Sequence, residues 1–255
     1  MGSLDDEASL ATLCAGADAV IHIAGVINAP DAAGFEAGNV TGTANMLAAA
    51  KTTGIERFVH VSSLAAREPQ LSLYGASKAR SETLVRTSGL NTAIVRPPAV
   101  YGPGDRETLE LFKMAKLGVM ALPPEGRLSV IHVDDLADLL LALAADPTTN
   151  SVIEPDDGTG GYRHKEFATL LGQAFDRKVW SVTMPSAALR LGAAIDGLVR
   201  GDKAKLTGDR AAYFSHADWT VSPDRAAPTA LWSPNIATAQ GLADTARWYE
   251  REGWL

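Results

Sequence analysis

RFVHVSSLAAREPQLSLYGASKARSETLVRTSGLNTAIVR, residues 57–96, decides the fold. It opens with a β-branched apolar run at 57–62 and ends with another at 91–96. Between them lies a helical pattern over about 73–88 that closes at Gly89. Neither apolar run alternates with polar residues, so both strands are expected to be buried on both faces, and the helical crossover makes them parallel. The same pattern continues on either side. Residues 19–24 and 129–133 read as further strands. Ser3 is the expected N-cap of a helix over 4–15 that stops at Gly16. Further helices are expected over 35–53, closing at Gly54; over 106–117, closing at Gly118; and over 134–145, stopped by Asp146-Pro147.

After about Val152 the regularity gives way to a turn at 156–161 and to helices near 165–175, 187–199 and 237–252. The expectation is an α/β chain: a doubly wound, Rossmann-type parallel sheet over 1–150, then a small, mainly helical substrate-binding lobe over 151–255. A dinucleotide-binding domain normally opens with a strand, a Gly-rich turn and a helix whose N-terminus takes the pyrophosphate. This sequence begins inside a later helix, so the domain is expected to be N-terminally truncated, without its first βαβ unit.

Composition narrows the function. The 255 residues are 46% hydrophobic and 21% charged, as in an ordinary globular chain. Net charge is −7, and Lys and Arg form no run, so neither nucleic acid nor an anionic membrane has an electrostatic footprint. The longest apolar run, 139–145, is far short of the roughly 20 residues that span a bilayer. The opening residues MGSLDDE are acidic where a signal peptide is basic, so a cytoplasmic location is expected. Cys14 is the only cysteine, which excludes an internal disulfide. His22, His60, His132, His164 and His216 lack metal-ligand spacing, so no metal site is expected.

Tyr74 and Lys78 stand four apart on the expected helix and therefore share a face. An ammonium beside a phenol favours phenolate and would draw its pKa down from about 10, giving a proton donor and acceptor near neutral pH. The bland alternative is an exposed pair whose Tyr packs on the sheet. Ser62 and Ser63 end the preceding strand, on the side where parallel sheets bind ligands, although a Ser pair there also caps turns. Asp105, Asp134 and Asp135 read as caps, Arg96 as a structural ion-pair partner, and Trp219, Trp232, Trp248 and Trp254 as core.

Five pieces occur in order: His22-Ile-Ala-Gly25, Val61-Ser-Ser63, Tyr74-Gly-Ala-Ser-Lys78, Arg96-Pro-Pro-Ala-Val-Tyr-Gly-Pro-Gly-Asp105 and Val130-Ile-His-Val-Asp-Asp135. Together they resemble the extended short-chain dehydrogenase/reductases, also called NAD-dependent epimerases/dehydratases. The resemblance implies a hydride-transfer enzyme using NAD or NADP, with Ser63 orienting substrate, Tyr74 as acid/base and Lys78 tuning Tyr74 and holding the nicotinamide ribose. Ser62 is the reserve for Ser63. It further implies cofactor contacts from Ile23, Ala24, Gly25, Asn39, Pro97, Pro98 and Val100. The substrate would be a small alcohol or ketone. A nucleotide sugar, as in an epimerase or dehydratase, and a non-catalytic or inactive truncated protein are the alternatives. A homodimer is expected by analogy.

Overall fold

The computed structural model describes residues 2–200 and 208–255. In chain order the elements are α1 (Glu7–Cys14), β1 (Ala19–His22), α2 (Ala32–Phe35), a π-helical turn (Glu36–Thr41), α3 (Gly42–Thr52), β2 (Arg57–Val61), a 3₁₀ turn (Leu64–Arg67), α4 (Leu73–Arg86), β3 (Asn91–Val95), β4 (Ala99–Tyr101) and α5 (Leu109–Leu117). There follow β5 (Val119–Leu122), β6 (Arg127–Leu128), β7 (Val130–His132), α6 (Val133–Ala145), β8 (Val152–Ile153), β9 (Tyr162–Arg163), α7 (His164–Gln173), β10 (Trp180–Thr183), α8 (Ser186–Arg200), α9 (Gly208–Phe214), β11 (Asp218–Trp219) and α10 (Thr238–Arg251).

The chain forms two compact units, neither continuous in sequence. The first takes Met1–Pro97, Asp138–Glu154 and Ala227–Trp232; the second takes Pro98–Ala137, Pro155–Ala226 and Ser233–Leu255. Packing therefore does not follow a single cut near residue 150: residues 98–137 belong with the later part of the chain.

The first unit is built on a parallel sheet in the order β1-β2-β3-β8, a Rossmann-like arrangement. Every residue of β2 is buried, Arg57 and His60 along with Phe58, Val59 and Val61. Phe58 and Ile94 meet Leu10 and Cys14 of α1, Met46 and Ala50 of α3 and Val85 of α4 in one apolar cluster. Arg57 survives in this interior because its guanidinium donates to the carbonyls of Leu143 and Thr149 and to Asn91 Oδ1.

The second unit holds short two- and three-stranded sheets, β10-β5, β11-β6-β9 and β4-β7. Its main core gathers Tyr101, Phe112, Met120, Leu171, Leu242 and Tyr249. Trp219 is buried and stacks on Tyr213 with 4.5 Å between ring centroids. Residues 156–161 lie between β8 and β9, exposed at Gly158, Thr159 and Gly160, with Asp157 accepting from Tyr162 and Thr238.

Several expectations need correction. Helix α1 starts at Glu7 rather than at Leu4, because Asp6 caps it, accepting from Ala8 N and Ser9 N; a carboxylate there also meets the positive end of the helix dipole. Residues 129–133 do not join the main sheet. Val130–His132 pairs instead with β4, and β8 takes the place beside β3. The helix expected over 35–53 is a helical run interrupted by the π turn at Glu36–Thr41. Asp135 reaches beyond its own helix: its carboxylate accepts from Asn235 N and Ile236 N, ahead of α10.

Candidate active site

At the carboxyl end of β2 the backbone leaves the sheet through Ser62 and Ser63. Ser63 caps the 3₁₀ turn, its hydroxyl accepting from Ala65 N. Ser72 then caps α4 by accepting from Gly75 N at 2.9 Å. The two helical segments lie in close contact because residue 75 lacks a side chain: a Cβ there would stand 2.7 Å from Ala65 O. That approach brings Tyr74, half-buried against Phe35, near the Ser63 hydroxyl.

Lys78 follows one turn on. It is 4% exposed and its ammonium donates to Val61 O at 2.8 Å. Burial draws its pKa down to about 8, against the pull of Glu82 in the other direction. Tyr74 behaves otherwise than the four-residue spacing suggests. Burial raises the phenol above its ordinary value and outweighs the Ser63 hydroxyl, which lowers it. With the Lys78 ammonium donating to a backbone carbonyl, the expected acidified phenol is not found: Tyr74 is a neutral acid here.

Asn39 lies inside the π turn and is buried. Its Oδ1 accepts from Val26 N at 2.6 Å, while Nδ2 donates to Val26 O at 2.8 Å and to Ser77 Oγ at 2.9 Å. Ser77 in turn donates to Tyr74 O. The amide thus ties the loop after β1 to α4, by a bridge to the loop backbone rather than to a strand carbonyl. Gly25 sits in that loop. A Cβ on it would fall 2.8 Å from Asn39 Oδ1 and 3.9 Å from Lys78 Nζ, so the bare glycine keeps open a space beside the ammonium. Ile23, Ala24 and Gly25 are exposed. A small-residue loop at a strand end beside a buried ammonium fits the ribose and nicotinamide end of a dinucleotide.

Of the residues expected from sequence, the first unit gathers Gly25, Asn39, Ser63, Tyr74 and Lys78. Ser62 is buried and donates to Glu82 Oε1 at 2.6 Å, so its hydroxyl is committed elsewhere. Arg96 makes the expected structural ion pair, with Glu82. Pro97 is buried and accepts from Leu64 N. Pro98 and Val100 belong to the second unit, Val100 within β4. Sequence reasoning missed Glu82, Ser77 and two stacked histidines, His22 and His60, whose ring centroids are 5.6 Å apart. Burial, aided by the Lys78 charge, lowers His22 to about 4 and His60 well below its ordinary value. The spacing Lys78-x-x-x-Glu82 was a legible signal for the first of these. Among the described residues there is no group of three His, Cys, Asp or Glu able to hold a metal, and no helix long and apolar enough to cross a membrane.

With this geometry in hand, comparison with known proteins fixes the class. Residues 1–147 match the model of the NAD(P)H-binding family, and the chain belongs to that family. Along its whole length it is 36% identical to a ceramide reductase from Caulobacter vibrioides, covering 81% of that protein. It is 28% identical to the 4-hydroxy-2-methyl-3-oxo-4-farnesyl-3,4-dihydroquinoline-1-oxide ketoreductase of Stigmatella aurantiaca, over 95% of this chain and 80% of the other. A double mutant of the dTDP-glucose 4,6-dehydratase of Streptomyces venezuelae, solved with NAD bound, superposes with a TM-score of 0.70 at 23% identity, covering 99% of this chain and 80% of that one.

Proposed function

We propose that this protein is an NAD(P)-dependent reductase acting on a ketone that carries a long apolar group. The observation that carries the reading is the placing of the Ser63 and Tyr74 hydroxyls near one another, one helical turn from buried Lys78. Carbonyl reduction needs a proton for the developing alkoxide, and a phenol held neutral by burial has one to give. Ser63 holds the substrate oxygen, and Tyr74 protonates it. Lys78 and the exposed loop Ile23-Ala24-Gly25 hold the nicotinamide riboside end of the cofactor, with Asn39 fixing that loop. Pro97, Pro98 and Val100 are cofactor contacts in the same reading. When bound, the dinucleotide supplies the hydride. Lys78 donates hydrogen bonds and its charge, and its burial excludes water from the ammonium.

The substrate class follows from the relatives' names, ceramide reductase and a farnesyl-bearing quinoline ketoreductase. A nucleotide-sugar reaction is the second reading, favoured by the dehydratase likeness. One assay separates them. Fluorescence titration with NADH and NADPH should show saturable binding, and a long-chain methyl ketone should drive oxidation of the bound reduced cofactor while UDP-glucose changes no absorbance or product profile. Conversion of UDP-glucose without ketone reduction would reverse the assignment.

A further inference from the structure

We infer that Glu82 is a positioning residue for this site: its buried carboxylate locks α4 to the ends of β2 and β3 and sets a negative charge one helical turn from the Lys78 ammonium. The inference rests on the site reading above and deepens it.

The carboxylate is saturated. Oε1 accepts from Ser62 Oγ at 2.6 Å and Arg96 Nε at 2.7 Å; Oε2 accepts from Arg96 Nη2 at 2.7 Å and Arg86 Nη1 at 3.1 Å. The Arg96 fork is bidentate, which fixes orientation as well as distance. Arg96 also donates to Glu154 at 3.1 Å, and Glu154 pairs with Arg67 at 3.4 Å. Arg67 closes the 3₁₀ turn that Ser63 caps. One chain of charges thus touches each segment that carries a proposed catalytic group: the end of β2, the turn after Ser63, and α4 with Tyr74 and Lys78. Buried ion pairs add little net stability compared with well-packed apolar residues, so placement and charge are what this network supplies.

The groups around the Lys78 ammonium make Glu82 matter. Tyr74 precedes it on α4, neutral. His22 from β1 and His60 from β2 are buried and neutral, and on protonation would oppose the ammonium. Glu82, one turn along α4, is the group that favours the charged form.

Titration of Lys78 by its 13Cε resonance, in protein labelled at lysine, reads the coupling without any turnover. Wild type should titrate near 8, and Glu82→Gln should bring the midpoint down by about one unit. Glu82→Asp keeps the charge but shortens its reach, so the midpoint should stay within about 0.3 unit while kcat falls roughly tenfold with little change in cofactor KM. An unmoved Lys78 midpoint in folded Glu82→Gln would overturn the inference. So would full kcat in Glu82→Asp, which also serves if Glu82→Gln does not fold. Should Tyr74→Phe retain turnover, the site reading fails, yet the Lys78 titration still reports on Glu82, so the two failures are distinguishable.

Discussion

Tyr74 and His60 show how burial, more than neighbouring charge, sets proton affinity at the level of single residues. Spacing alone put a phenol and an ammonium on one helical face, and the face is real. What spacing could not convey is how deeply each group lies, and depth reversed the expected direction for the phenol. For the histidines the sign of the effect on stability follows directly. Their folded pKa values lie below the unfolded value of about 6.5, so the unfolded chain binds more protons at mildly acidic pH. Stability is therefore full above about pH 6.5 and is lost as pH falls towards 4 through the His22 value. Each such proton contributes a slope of up to about 1.4 kcal/mol per pH unit. Urea denaturation of wild type and His60→Asn between pH 7 and 4.5 checks this. The variant should show the shallower pH dependence, and equal slopes would remove His60 from the account.

At the level of elements, the strand-helix-strand unit over residues 57–96 was legible because its strands are rich in apolar, β-branched residues without strict alternation and because Gly89 stops the helix. Less legible was the pairing of Val130–His132, since periodicity reports that a strand exists but not which neighbour it chooses. The two-residue strands were too short to leave a pattern, and the π turn around Asn39 has the same composition as the helix it interrupts. Two substitutions probe the elements that bear the site. In Gly75→Ala, the new Cβ meets a backbone oxygen 2.7 Å away that has little room to yield. Separation of α4 from the 3₁₀ turn should cost about 1 to 3 kcal/mol and depress turnover, by breaking the contact between Ser63 and Tyr74. Asn39→Ala removes the bridge to Val26 and Ser77 and should destabilise the chain by about 2 to 3 kcal/mol. Chemical denaturation reads both, and wild-type stability in either variant would show that these close contacts are dispensable.

On the scale of the whole molecule, the sequence disclosed a Rossmann-like sheet, but not that residues 98–137 pack with the later part of the chain. Contacts made far along the chain decide such membership, and local pattern carries no trace of them. Each unit has its own core, so each should be sensitive to truncation of a fully buried phenylalanine. Phe58→Ala in the first and Phe112→Ala in the second, both fully buried, should each cost about 3 to 5 kcal/mol in denaturant unfolding, and a loss under 1 kcal/mol in either would contradict the cores described. The chain belongs to an NAD(P)H-binding family, and in the reaction proposed above the neutral phenol beside Ser63 gives its proton to a carbonyl oxygen. The most direct test is single-turnover ketone reduction by Tyr74→Phe preloaded with reduced cofactor. Tyr74 as general acid predicts unchanged cofactor affinity with reduction slowed on the order of hundred-fold or more, whereas reduction at the wild-type rate would contradict it.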